Sequence, residues 1–315
     1  MKTFKNILEF QKHFHSEDKC REYLEQQRWN GTPACPFCGS INVCRFSTRK
    51  AFKCREKGCR KQFSVLVGSV YQNTKIPLTK WFLATYILSV HSKGISSLQL
   101  ANLLGVTQTT AWHLNHRIRE MLTDKSTELL EGICEIDETY IGGKEANKHA
   151  SKRKRQGGGV AGKIMVLGAI QRKGKVKTRV IPNTTIDCVT DVVKEFIAID
   201  STMVTDEHHA YKRLSPLYDH KTVNHRAKEY VRKDTILVHT NNIEGYWNIL
   251  KKQINGIHHS VSGKHLQRYC DEGAFRYNNR EAFQDKRFAN ALANCNGSLT
   301  YNQLTGKNNK NNEKE

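Results

Sequence analysis

Three acidic residues hold structured positions in a chain that is otherwise strongly basic. Asp137 lies in Ile133-Cys-Glu-Ile-Asp-Glu-Thr-Tyr-Ile-Gly-Gly143. Asp206 ends the apolar run Met203-Val204-Thr205, and Glu244 sits in the amphipathic stretch Asn242–Lys251. The chain carries 51 Lys and Arg against 30 Asp and Glu, a formal charge of +21. Such a surface is suited to an anionic partner. A few carboxylates gathered within it point to a divalent metal held against a polyanion, the arrangement that cuts and joins nucleic acid.

A second set of residues has metal-ligand spacing. Cys35-Pro-Phe-Cys38-Gly39, followed by Cys54-Arg-Glu-Lys-Gly-Cys59, reads as a zinc ribbon. Each knuckle places two thiolates on one side of a Zn²⁺ ion, and the spacer between them suits a β-hairpin. Four thiolates leave no open coordination position, so this zinc is structural. Cys44 lies in the spacer as a bystander. Lys50, Lys53, Arg55, Lys57, Arg60 and Lys61 surround the second knuckle and are placed to touch DNA phosphates. The remaining cysteines are scattered. With no apolar signal core at the N-terminus, a disulfide scaffold is not expected.

A length of 315 residues allows about two domains. A hydrophobic fraction of 38% and a mean hydropathy of −0.63 describe a soluble globular protein. No apolar run is long enough to span a bilayer. A pI near 9.6 argues for nucleic acid, and the expected location is the cytoplasm or nucleoid of a bacterial cell.

The elements that must position these residues follow from periodicity. Residues 1–30 read as a polar helical segment, 31–70 as the zinc ribbon, and 78–123 as helices. In the last of these, Leu98, Leu100, Ala101 and Leu104 form one helix, and Gly105 and Val106 turn the chain. Thr107 then caps a second helix that packs Ala111, Leu114 and Ile118 inward. This is a helix-turn-helix pattern. It leaves Gln108, Thr109, Thr110 and His113 facing outward for base contacts, with Arg117 and Arg119 available for phosphate.

From residue 132 the period changes to that of strands, at 133–141, 164–172, 175–183, 201–206 and 221–225, with a hairpin turn at Gly174. Helices are expected at 185–199 and 241–254. Glu135, Glu138 and Glu207 read as surface residues, and Tyr246 and Trp247 as core. The basic run Lys152, Arg153, Lys154 and Arg155 lies in a Gly-rich loop and reads as a DNA contact. A C-terminal segment, 286–315, ends in a low-complexity tail.

Strand, hairpin, helix, strand ending in Asp, strand, then a helix with an acid is the order of an RNase H-like domain, here spanning 130–285. Six segments carry a closer likeness: Ala34-Cys-Pro-Phe-Cys-Gly39, Lys80-Trp-Phe-Leu-Ala84, Glu135–Gly143, Val204-Thr-Asp-Glu-His-His-Ala-Tyr211, His239–Lys251 and Tyr269–Arg280. In these the chain resembles the zinc-ribbon-carrying DDE transposases of bacterial insertion sequences, the group with an ISXO-type integrase-like domain.

The resemblance implies an α/β architecture: an RNase H-like catalytic domain preceded by the Cys₄ ribbon and the helix-turn-helix. It implies that Asp137 and Asp206 are catalytic and hold Mg²⁺ or Mn²⁺. The third position in this family is Glu or Asn followed by Lys. Glu244 and Lys251 share a helical face two turns apart, and Asn242 is the alternative. The expected activity is metal-dependent cleavage at transposon ends followed by 3′-OH strand transfer, by at least a dimer on DNA. A DNA-binding regulator without catalysis and a structure-specific nuclease of the same fold are the competing readings.

Overall fold

The structure, a computed structural model, describes residues 4–143, 149, 151, 153, 162–207, 209–224, 231–234 and 237–306, at Lys212 and Lys233 the backbone alone. Lys152, Lys154 and Arg155 of the expected basic loop lie outside the described residues, as does the tail beyond 306. The chain forms two compact units, 1–123 with 281–315 and 124–280.

The first unit opens with α1 (Ile7–His13) and α2 (Glu17–Trp29), capped by the Asn6 and Ser16 side chains. The zinc ribbon is an antiparallel sheet of β1 (Val43–Arg45), β2 (Phe52–Cys54) and β3 (Gln62–Phe63). Phe52 and Phe63 stack in it, and Trp29 meets both rings edge-on. Three helices follow: α3 (Leu78–Val90), α4 (Ser97–Leu104) and α5 (Gln108–Leu122). Ser96 and Gln99 form a capping box on α4, and Gly105 ends it with φ +59. Thr107 caps α5 as its sequence suggests, its side chain accepting from the Thr110 N–H.

The C-terminal segment is not a separate part. Here α9 (Gln284–Ala293) returns to this unit and buries Phe288 among Phe4, Phe10, Phe14, Tyr23 and Phe82. Edge-to-face ring packing of this kind gives the unit much of its core. A last short helix, α10 (Tyr301–Thr305), ends the described chain.

The second unit is built on one mixed sheet. Strands β4 (Ile133–Ile141), β5 (Ile164–Gln171) and β6 (Val176–Ile181) run antiparallel. Strands β7 (Thr202–Asp206) and β8 (Asp219–Val223) lie parallel to β4, in the order β6-β5-β4-β7-β8. Three antiparallel strands continued by two parallel ones, with helices on both faces, is the RNase H-like arrangement.

One face carries α6 (Ile186–Phe196) and a 3₁₀ helix (His209–Leu214), packed on Ile136, Leu167 and Ala169. The other carries α7 (Asn241–Gln253) and α8 (Gly263–Asn278), packed on Ile141, Val166 and Ile170. The alternation of strand side chains thus sends residues 135, 137, 139 and 141 toward α7, and 136 and 138 toward α6. A two-stranded ribbon, β9 (Arg232–Lys233) with β10 (Leu237–Val238), precedes α7. No helix among the described residues is long and apolar enough to cross a membrane.

Candidate active site and metal centre

The parallel pairing of β4 with β7 matches Ile133 to Thr202 and Glu135 to Val204. Continued by two residues, the same register puts Asp137 level with Asp206, the last residue of β7. The chain separation between these acids is therefore closed by one parallel step. Both side chains are partly buried.

Asp137 sits where α7 crosses the sheet. Its register partner on β5 is Gly168, and a Cβ there would come within 2.5 Å of the Trp247 ring. Glycine at 168 lets the indole come close to the sheet. Trp247 Nε1 then donates to Asp137 Oδ2 at 3.1 Å. Trp247 belongs to the core as expected and in addition orients this carboxylate.

Burial pushes the Asp137 carboxyl up to about 7, helped by the charges of Glu138, Asp206 and Glu244 and opposed by a backbone hydrogen bond. Glu138 faces the other side of β4, toward Tyr211. Burial pushes it too to about 7, against the pull of the Tyr211 hydroxyl. Glu244, on the first turn of α7, is exposed and accepts from Thr240 Oγ1 at 3.0 Å. Lys251, on the last turn of α7, is half-buried and is not among the charges acting most on Asp137.

Asn242 is turned elsewhere. Its Nδ2 donates to Glu135 Oε1 at 2.7 Å and its N–H to Glu135 Oε2 at 2.9 Å. Glu135 and Glu138 are thus corrections to the sequence reading, which placed both on the surface. Glu135 is fully buried and Glu138 partly so, because helices cover both faces of β4. The two-residue period was the available signal for Glu135, which must share the face of Asp137.

The ribbon cysteines converge as the spacing requires. The Sγ atoms of Cys35, Cys38, Cys54 and Cys59 lie within 4.8 Å of one another, with Cys35–Cys59 at 3.7 Å and Cys38–Cys54 at 3.6 Å. A tetrahedral ion with Zn–S bonds of about 2.3 Å needs sulfur separations of about 3.8 Å, so the cage fits Zn²⁺. Cys44 bonds to the Lys53 carbonyl instead and stands apart.

Among the described residues no acidic cluster closes to that distance. Asp137, Asp206 and Glu244 offer only oxygen donors, the chemistry of a site for Mg²⁺ or Mn²⁺. Burial first, and then the neighbouring acidic charges, raise Asp137, and a bound cation would favour its ionised form against both.

The helix-turn-helix face differs from expectation. Gln108 and Thr109 are exposed and Thr110 is half-buried. His113 is also half-buried, its Nε2 meeting the Leu299 carbonyl at 3.3 Å and its ring meeting the edge of Tyr301. Arg117 and Arg119 are buried. The Arg117 guanidinium donates to the carbonyls of Val70 and Gln72 and lies over Trp81, so it braces the unit rather than meeting phosphate. Its partners are loop carbonyls, which no helical period reveals.

An RNase H-like sheet that holds Asp137 in the middle of β4 level with Asp206 at the end of β7, in a chain that also carries a Cys₄ cage, defines a class of DNA-processing protein. Two family models match the chain: a transposase zinc-ribbon domain over residues 15–62 and an ISXO2-like transposase domain over 129–278. The chain belongs to the zinc-ribbon-carrying ISXO2-like transposases of insertion sequences. It is 27% identical over 290 residues to an uncharacterized protein in transposable element ISH50 of Halobacterium salinarum, covering 87% of this chain and 94% of that relative. A crystal structure of a pre-cleavage Mos1 transpososome matches 66% of this chain and 76% of its own at 10% identity and a TM-score of 0.24, too loose a superposition to bear on fold or function.

Proposed function

We propose that this transposase hydrolyses the phosphodiester at the ends of its element to free a 3′-OH, then directs that 3′-OH against target DNA. The observation that carries the reading is the β4–β7 register, which, continued by two residues, levels Asp137 in the middle of β4 with Asp206 at the end of β7. Asp137, Asp206 and Glu244 would hold the divalent cations, Glu244 being favoured over Asn242 because its charge acts on Asp137 while Asn242 is bound to Glu135. When bound, such ions activate the attacking oxygen and stabilise the leaving 3′ oxygen.

The chain's own residues supply the rest. Trp247 fixes the orientation of Asp137 through its N–H, and the apolar layer beneath excludes water from one side of that carboxylate. Lys251, on the same helix as Glu244, would bind a phosphate. The ribbon and the exposed start of α5, at Gln108 and Thr109, would grip the ends of the element. Two ends must be joined, so the working form is at least a dimer on DNA.

The test is donor cleavage and joining on end-containing duplex with Mg²⁺. Asp137→Asn and Asp206→Asn each abolish cutting while end binding persists. Normal cutting by either variant would overturn the assignment. Cutting without joining in the parent protein would make it a nuclease, and neither step would make it a regulator.

A further inference from the structure

The N-terminus of α7 is capped from another element. Thr240, in the N-cap position, gives no side-chain bond to the helix N–H groups. Glu135 of β4 does so: its Oε2 accepts from the N–H of Asn242 at 2.9 Å and of Ile243 at 3.2 Å. Its Oε1 accepts from Asn242 Nδ2 at 2.7 Å and Arg172 Nε at 2.8 Å, with His239 Nδ1 at 3.3 Å. Arg172 extends the clamp, donating to the Leu237 carbonyl at 2.6 Å and to that of His239 at 3.0 Å. The segment entering α7 and the first turn of α7 are therefore both tied to one fully buried carboxylate.

That carboxylate stands two residues before Asp137 on the same face of β4, and its main partner, Asn242, stands two residues before Glu244. Two acids and their two neighbours interlock across the strand–helix junction. A buried charge without partners is costly, so Glu135 holds the junction in one geometry. We propose that Glu135 is a positioning residue, which sets Glu244 against Asp137 and thereby fixes the affinity of the carboxylate site for its divalent ion. This rests on the reading of Asp137, Asp206 and Glu244 as that site. Residues that orient metal ligands without touching the metal typically contribute 10–100-fold in affinity or activity.

Direct Mn²⁺ binding, followed by paramagnetic resonance of the free ion in the full-length protein, tests it. Glu135→Gln keeps the volume but turns an amide NH₂ toward the donors. It is expected to weaken Mn²⁺ about 10–100-fold and to raise the Mg²⁺ midpoint for cleavage by a like factor. Arg172→Lys keeps the charge but cannot span Glu135 and both carbonyls, and weakens Mn²⁺ in the same direction by a smaller factor. Glu272→Gln, which breaks the buried Glu272–Arg276 pair on α8, is the control for destabilisation alone and leaves Mn²⁺ binding as in the parent.

Parental Mn²⁺ affinity in both clamp variants overturns the inference, as does equal weakening in the Glu272 control. Asp206→Asn separates the two failures. If it loses Mn²⁺ while Glu135→Gln keeps it, only the positioning role falls. If it binds as the parent does, the carboxylate reading falls and takes the positioning role with it.

Discussion

The Asp137 carboxylate depends on an absence. Gly168 has no side chain, so the Trp247 indole reaches the sheet and its N–H meets the acid. Gly168→Ala should cost about 1–3 kcal/mol from overpacking, read by thermal unfolding, and should also lower cleavage by displacing the indole. The protonation of Asp137 gives a second prediction. Its folded-state value is about 7 against an unfolded carboxyl near 4. The folded protein therefore holds a proton that the unfolded chain has lost between these values. The resulting stability is fully present below the unfolded value and is lost as pH rises through about 7. Glu138 acts with the same sign. His220, held below its usual value by burial, acts oppositely at acid pH. The comparison to make is the melting temperature of parent and Asp137→Asn across pH 5–8. The parent should lose more stability with rising pH, and Mg²⁺ should restore it in the parent alone. The two aspartates could be picked out from local pattern, Asp137 within one apolar strand and Asp206 at the end of another. Glu135 and Glu138 could not be read fully, because their burial depends on helices that arrive many residues later in the chain.

At the scale of the element, α5 divides its residues differently from a bare helical wheel. Leu114 and Ile118 pack inward as their spacing dictates. Arg117 turns inward as well, because the Val70 and Gln72 carbonyls and the Trp81 ring receive it. A gel-shift series against salt separates the roles. Gln108→Ala and Thr109→Ala should weaken end binding by about 1–3 kcal/mol, with loss of sequence preference. Arg117→Ala should instead lower the melting temperature and leave the salt slope unchanged. A slope reduced by about one would return Arg117 to phosphate contact. Strands and long helices were legible because their apolar periods are strong, and the Gly174 turn because glycine marks it. The β9–β10 ribbon is two residues wide on each side, too short for a period to register. The π-helical turn Ile254–His258, which ends with His259 at φ +60, leaves no apolar period of its own.

For the whole molecule, charge and zinc make separable contributions. The +21 surplus is a long-range attraction that salt weakens for any DNA sequence. The Cys₄ cage is local, and β1–β3 have little other core. Stripping the metal with a strong chelator should unfold the ribbon and weaken end binding. Far-UV dichroism of the 124–280 unit should be retained, since that unit has its own two core layers. Loss of the whole dichroism signal on chelation would show the two units to be one cooperative structure.

The return of α9 to the first unit sets an order on the making of the protein. Phe4, Phe10, Phe14 and Phe82 emerge from the ribosome early, but the ring they close upon, Phe288, is more than two hundred residues further on. At roughly 5–20 residues per second, that is a wait of about 10–40 s, during which the whole RNase H-like unit is synthesised. The first unit thus completes its core last, although most of its sequence comes first. A chain that stops inside residues 124–280 has no Phe288, and the rings of Phe4, Phe10, Phe14 and Phe82 are left without the side chain they pack around.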